Sequence, residues 1–399
     1  MSAAATSNSL QKYSVLDPSR MPLLASFHRL PRFLALAGIL LAFNACAGRP
    51  GPDVLKVVST KDVRTKEVAI YTATTRAKDE KNDNGFSTGR AEDLNYAKYT
   101  ISIPPDHKAS TIEWPKGKPN AKTDFVVTSQ STLTAPAFNK DVVVQQGKRR
   151  PVGIFVHGYN YTFQESLFRL AQMAADANID AVPVLFAWPS QGALTGYIAD
   201  RESVLYSRDY LASLLISLSA DQANGDLILF GHSMGGFLIM ETARQLKLEG
   251  RDDVLSRLSI VLAAPDIDAD VFRKQMDVIG KMKIPLTLLV SKDDRALAAS
   301  SFLDADHPRV GRFDIDDPQI RETAVKYGIK VVDITSVKGT DGLGHDRFVS
   351  LAKLYPQLAS LDGAKANRSP AQVGAFIFDA AGATIASPFR LVSKVVSPQ

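Results

Sequence analysis

The chain has 399 residues, 45% hydrophobic and 22% charged, with 25 Gly, 21 Pro and one Cys. That composition excludes a disordered, collagen-like or disulfide-stapled protein. The net charge is +5, of which +3 falls in residues 1–46. No Lys/Arg cluster with interleaved aromatics occurs, so nucleic acid is not an expected partner. The length admits two or three domains of about 150 residues, or one large α/β unit of about 250.

Residues 33–43 (FLALAGILLAF) form an apolar run preceded by Arg29 and Arg32. A basic stretch before a short apolar run is the pattern of a secretory signal, and the run is too short to span a membrane. Cys46, the lone cysteine, follows within three residues. The arrangement resembles a bacterial lipoprotein signal in which Cys46 becomes the lipid-modified first residue, although Phe43 stands where that signal has Leu. The resemblance implies a lipid anchor in the bacterial cell envelope, and Ala47 resembles outer-membrane sorting toward the periplasm. Ala45-Cys46-Ala47 also reads as a cleavage site for soluble periplasmic export, and a buried N-terminal helix is the third alternative. Met21 is an alternative start to Met1.

The sequence predicts a signal over 1–46, a polar linker over 47–66 and a β-rich segment over 67–150. The last has β-like stretches at 68–74, 99–103 and 125–128 and is expected to pack on the main domain as a small lead-in. From 151 to 362 the pattern changes to apolar runs alternating with amphipathic stretches, the βα grammar of a mostly parallel sheet with helices on both faces. The runs are 153–156, 182–187, 227–230, 258–263, 286–290 and 329–334. Helices are expected near 163–177, 201–220, 235–249, 269–281 and 346–359. The segment 296–328, with five Asp, is longer and more polar than a usual crossover and is expected to contribute a loop beside the site. The tail 363–399 has no assigned role. Only one helix fits between the strands at 258 and 286, so no large cap domain is expected there.

Gly231-His232-Ser233-Met234-Gly235 fits G-x-S-x-G. By composition alone such a pattern arises in about one chain in ten of this length. Here it follows an apolar strand and opens an amphipathic stretch, the strand-turn-helix context of a nucleophile elbow, which makes Ser233 the candidate nucleophile. The Met234 amide then lies at a helix N-terminus, where it can stabilise an oxyanion. Serine needs a base, and in this arrangement the order is Ser, acid, His. Two histidines follow Ser233. His345 sits in a Gly-flanked loop after the last strand and is favoured, whereas His307 reads as a surface-loop residue. Asp294, after the run 286–290, is the expected acid, with Asp293 a close rival and Asp266 a weaker one. The loop Val156-His157-Gly158-Tyr159-Asn160 is expected to supply the second oxyanion donor through the Tyr159 amide. His157 is expected to bond locally. Residues 189–193 and 200–202 are candidates for lining the pocket or for capping and packing alone. The alternation Asp266, Asp268, Asp270 departs from a calcium loop at Val271 and Asp277, so no metal is expected, nor any organic cofactor.

Read together, FVHGYN (155–160), LFAWPSQGALTGYIADRES (185–203), GHSMGG (231–236), LAAPDIDADVF (262–272), VSKDDRAL (290–297) and GLGHDRF (342–348) resemble a bacterial α/β-hydrolase family of unknown specificity. The resemblance implies an α/β-hydrolase fold, with Ser233, Asp294 and His345 as nucleophile, acid and base. The expected activity is carboxylic-ester hydrolysis through an acyl-enzyme, on a small-molecule or lipid ester. The alternatives are a thioesterase or peptidase on the same groups, and a catalytically silent binding or envelope module.

Overall fold

The computed structural model describes residues 49–60, 63–81, 85–143, 150–178, 181–220, 227–352 and 390–392. The expected signal with Cys46, and the tail apart from 390–392, lie outside the described residues. The six apolar runs form strands β4 (Val152–Val156), β5 (Val182–Ala187), β6 (Leu227–His232), β7 (Leu258–Ala263), β8 (Thr287–Val290) and β9 (Lys330–Asp333). They are mutually parallel and lie in the spatial order β5-β4-β6-β7-β8-β9. Every residue of β7 and β8 is buried, which is why these strands read as continuous apolar runs and not as alternating ones.

Three strands from the β-rich segment extend this sheet. β1 (Lys66–Lys78) pairs in parallel with β5, and β2 (Phe86–Ile103) and β3 (Val126–Leu133) follow as an antiparallel meander. At the opposite edge β10 (Arg390–Val392) runs antiparallel to β9. The expected small lead-in packed on the main domain is therefore corrected: these strands continue the main sheet itself. Ile70 faces one core and Tyr71 and Ala73 the other, so β1 is an interior strand covered on both sides. The linker expected over 47–66 is corrected too, over its described part. Residues Pro52–Leu55 form a 3-10 turn with Leu55 buried, and the Val58 amide donates to the Val127 carbonyl (2.8 Å). The Gln164 side chain donates to the Pro50 carbonyl (2.7 Å), which fastens the segment to the body.

The helices divide between two faces. α2 (Phe163–Ala177) and α9 (Arg347–Ala352) cover one; α1 (Ala135–Val143), α3 (Tyr197–Ala220), α4 (Met234–Leu248), the short α5 (Asp252–Leu255), α6 (Ala269–Ile279) and α8 (Pro318–Tyr327) contribute to the other. α2 starts at a capping box, Thr162 with Glu165, so its first orphan amide is satisfied by side chains. The polar segment 296–328 holds α7 (Arg295–Leu303), a 3-10 turn at Val310–Arg312, and α8. Its aspartates are used structurally: Asp317 caps α8, Asp304 pairs with Arg309 and Asp316 with Arg321. Between β7 and β8 the chain builds α6 and no cap domain. Among the described residues no helix is long and apolar enough to cross a membrane.

The chain runs from β4 outward to β5 and returns to β6 on the other side of β4. α/β sheets place their sites at the carboxyl ends of the strands where such a reversal occurs, here β4 and β6. Because β1 is interior, Ile70→Ala should lower stability by about 2–5 kcal/mol. Urea unfolding followed by circular dichroism and by tryptophan fluorescence should give one shared transition; an early, separate loss of the β1–β3 signal would contradict a continuous sheet.

Candidate active site

Ser233 follows β6 with φ 53° and ψ −121°, a backbone conformation rare for a residue with a Cβ. Its amide donates to the Ala263 carbonyl (3.0 Å), and its carbonyl accepts from the amides of Gly236 (2.9 Å) and Asp266 (3.2 Å). The turn therefore remains stitched to β7 while the side chain is turned off the strand. A Cβ on Gly235 would run into the carbonyl oxygens of Val156 and His157, and one on Gly231 would meet Ile239 and Gly236. Both glycines are required by close approach. Met234 is the first residue of α4, so its amide is among those that have no acceptor within the helix.

β4 pairs with β6 in the register Val156↔Gly231, so the loops that leave these strands are neighbours. The first carries Tyr159, the second Ser233. In the Tyr159 loop, His157 is fully buried and stacks on Trp188 with 4.8 Å between ring centroids. Its Nδ1 and Nε2 face the carbonyls of Gly158 (2.9 Å) and Trp188 (3.1 Å). Burial and the nearby Arg76 charge push its pKa down to about 3, so it is a neutral structural imidazole.

His345 lies in the loop between β9 and α9. Its Nδ1 meets Asp294 Oδ2 at 2.7 Å, while Asp294 Oδ1 accepts from the Leu297 amide (2.9 Å) at the start of α7. The Asp294 side chain is wholly buried. Asp293, its rival by sequence, turns outward and pairs with Arg347 (2.6 Å) and Ser291 (2.7 Å). Burial alone would pull the His345 imidazole down, but the Asp294 charge and hydrogen bond, with the charges of Asp341 and Asp266, hold it above its ordinary value. A carboxylate on Nδ1 also fixes the tautomer that leaves Nε2 as the base.

Two groups that sequence reasoning did not assign hold this loop. Asp341 accepts from the amides of Gly344 (2.7 Å) and His345 (3.1 Å), an Asp in a Gly-rich turn being the available signal. His232 packs its ring 4.6 Å from the His345 ring, and its Nε2 donates to the His345 carbonyl (3.3 Å). Burial and the neighbouring His345 keep His232 well below its ordinary pKa. As the residue before Ser233, it ties the base loop to the elbow.

Asp266 does not contact His345 through a hydrogen bond. Its amide holds the Ser233 carbonyl, and its buried carboxylate accepts from Tyr197 (3.0 Å) and Ser300 (2.8 Å) beside Arg309 (3.3 Å). His307 is half-exposed and pairs with Asp268 (2.9 Å). Asp268, Asp304 and His307 lie close enough to share a cation, but Asp304 is paired with Arg309 (3.0 Å) and Asp268 also caps α6, so their charges are already engaged.

A serine on a strained turn, an imidazole held by a buried carboxylate, and backbone amides on two adjoining loops form an arrangement suited to acyl transfer. Comparison with known proteins gives the family and no specific reaction. Residues 133–361 match a family model described as alpha/beta hydrolase of unknown function (DUF900). A crystal structure from Agrobacterium vitis S4, provisionally described as a hydrolase, is similar at 15% identity with a TM-score of 0.28, covering 56% of this chain and 84% of that one. A comparison with curated proteins gave no match. Titration of the histidines by NMR should place His345 above the ordinary value of about 6.5 and leave His157 neutral from about pH 5 to 8. Asp294→Asn should move the His345 midpoint down; an unchanged midpoint would contradict the pairing.

Proposed function

We propose that this chain, which belongs to the α/β-hydrolase family of unknown function matched over residues 133–361, is an exported serine hydrolase of carboxylic esters. The observation that carries the reading is the His345–Asp294 pair (2.7 Å), whose loop is bound through His232 to the Ser233 elbow. In the proposed reaction His345 Nε2 takes the Ser233 hydroxyl proton as Oγ attacks the ester carbonyl carbon. The amides of Tyr159 and Met234 hold the oxyanion, and the tetrahedral intermediate collapses as His345 returns the proton to the departing alcohol. Water, activated by His345, then attacks the acyl-enzyme, releasing the carboxylic acid and restoring Ser233. Asp294 holds the ring and stabilises the imidazolium.

An apolar acyl group is favoured by the surroundings of the cleft. Leu194 and Ile198, exposed beyond β5, Val271, exposed beyond β7, and Phe302 and Leu303, exposed beyond β8, all follow the carboxyl ends of strands, the edge that carries Ser233. Ile198 is 78% exposed, and its neighbour Tyr197 bonds Asp266, as does Ser300 two residues before Phe302. A lipid on Cys46 would hold the protein at the outer membrane facing the periplasm, where lipid esters are available as substrates; a soluble periplasmic form is the alternative.

Hydrolysis of a p-nitrophenyl ester should rise with pH through a midpoint above about 6.5, because the base must be neutral and Asp294 raises its pKa. Ser233→Ala and Asp294→Asn should each lower kcat by about 10⁴-fold or more. A flat profile from about pH 5 to 8, or an active Ser233→Ala, would refute the mechanism, and a preference for thioesters or peptides would reassign the substrate. Cells expressing the full chain with an alkynyl fatty acid should label the protein, and Cys46→Ser should abolish the label. An unlabelled parent in the soluble fraction would favour the unanchored form.

A further inference from the structure

The polar side chains of the segment 188–200 supply no reacting group to the chemistry just described, yet they converge on the Tyr159 loop. Asp200, in the first turn of α3, has no exposed surface. Its Oδ2 accepts from the Asn160 amide (3.2 Å) and the Ser190 hydroxyl (2.6 Å), and its Oδ1 from the Gln191 amide (2.7 Å). Ser190 Oγ in turn accepts from the amides of Tyr161 (3.2 Å) and Gly192 (3.3 Å). We propose that Asp200 is the positioning residue of the oxyanion site, a buried carboxylate that fixes the direction of the Tyr159 amide by holding the Asn160 amide directly and the Tyr161 amide through Ser190. The proposal rests on the serine-hydrolase reading.

Three observations favour this role over packing alone. Asn160 has φ 61°, a left-handed conformation in which the peptide is held by the Asp200 bond to its amide. The Tyr159 side chain is caught by the same segment: its hydroxyl donates to the Leu194 carbonyl, and its ring meets the Tyr197 ring edge-on at 5.4 Å. The loop also folds tightly back over the carboxylate, since a Cβ on Gly196 would come within 2.7 Å of the Gln191 Cβ. Burial pushes the Asp200 carboxyl above its ordinary value; the donors Ser190, Gln191 and Asn160 oppose that shift, as does the charge of the buried Arg76, which donates to the Tyr161 carbonyl (2.9 Å). A carboxylate serves here because it can accept from two separate loops at once, whereas an amide would confront one of them with its own N–H.

The test uses the chain without residues 1–46 and a short, soluble p-nitrophenyl ester. Asp200→Asn should lower kcat by about 10²-fold, the cost of a small misplacement of a reacting group, with KM and the pH midpoint little changed. Ser190→Ala should act in the same direction by about tenfold and serves if Asp200→Asn fails to fold. Val254→Ala, a core truncation in α5 just before the amino end of β7, controls for lost stability and should keep the parent kcat. Hydrogen exchange at the amides of residues 159–161 reads the clamp without substrate and should quicken in Asp200→Asn. An unchanged kcat, a loss confined to KM, an equal loss in Val254→Ala at matched Tm, or unchanged exchange would overturn the proposal. Failure of the parent to show Ser233-dependent hydrolysis would instead overturn the hydrolase reading, with exchange still judging the clamp.

Discussion

The backbone of Ser233, held at φ 53°, is the constraint on which the rest of the site depends. Such a conformation costs about 1–3 kcal/mol and persists only where its surroundings over-determine it. Here the surroundings are the parallel ladder on both sides. The Ser233 amide still bonds β7, its carbonyl receives two amides, and Gly235 passes against the end of β4 where no side chain fits. The sheet register then sets the chemistry: because Val156 pairs with Gly231, the Tyr159 loop and the elbow are adjoining exits of neighbouring strands. Ser233 and the Met234 amide need no further long-range alignment, and the Tyr159 loop is completed by Asp200 and Ser190.

The imidazole is the part that does need it. His345 arrives from a loop more than a hundred residues away, and three groups keep it in place: the buried Asp294 on its ring, the half-buried Asp341 on its amide, and the buried His232 on its carbonyl. Burying so many polar groups is costly unless each is paired, and most are paired with backbone that leads to another part of the site. Asp266 shows the economy of the arrangement. Its amide supports Ser233 while its carboxylate gathers Tyr197, Ser300 and Arg309, so the edges of α3 and α7 meet at one residue beside the nucleophile.

Much of this was legible in the amino-acid pattern. The six apolar runs and the amphipathic stretches near 163–177, 235–249 and 269–281 are strands and helices, because two-sided burial and helical periodicity both leave strong signals. The elbow is legible because its glycines are demanded by contact. What was not legible is set by tertiary partners. β1 looks like half of an ordinary hairpin with β2, and nothing local says that its other edge will join β5. Residues 50–58 read as a tether because their Gly and Pro are prominent, whereas the buried Leu55, a bond from the Gln164 side chain and a backbone bond to Val127 hold them to the body. Asp293 and Asp294 differ by one position, and only the direction of the turn decides which carboxylate meets the imidazole. The aspartates of 296–328 suggested a loop, but several are caps and ion-pair partners of helices too short to show strong periodicity.

The central claim is that Ser233 is an activated nucleophile, and covalent capture tests it most directly. The purified chain lacking residues 1–46 would be treated with a fluorophosphonate and digested, and the modified peptide identified by mass spectrometry. The account predicts one adduct, on the peptide containing Gly231 to Gly235, lost in Ser233→Ala and strongly slowed in Asp294→Asn. A folded parent that takes up no probe, or carries it on another residue, would contradict it.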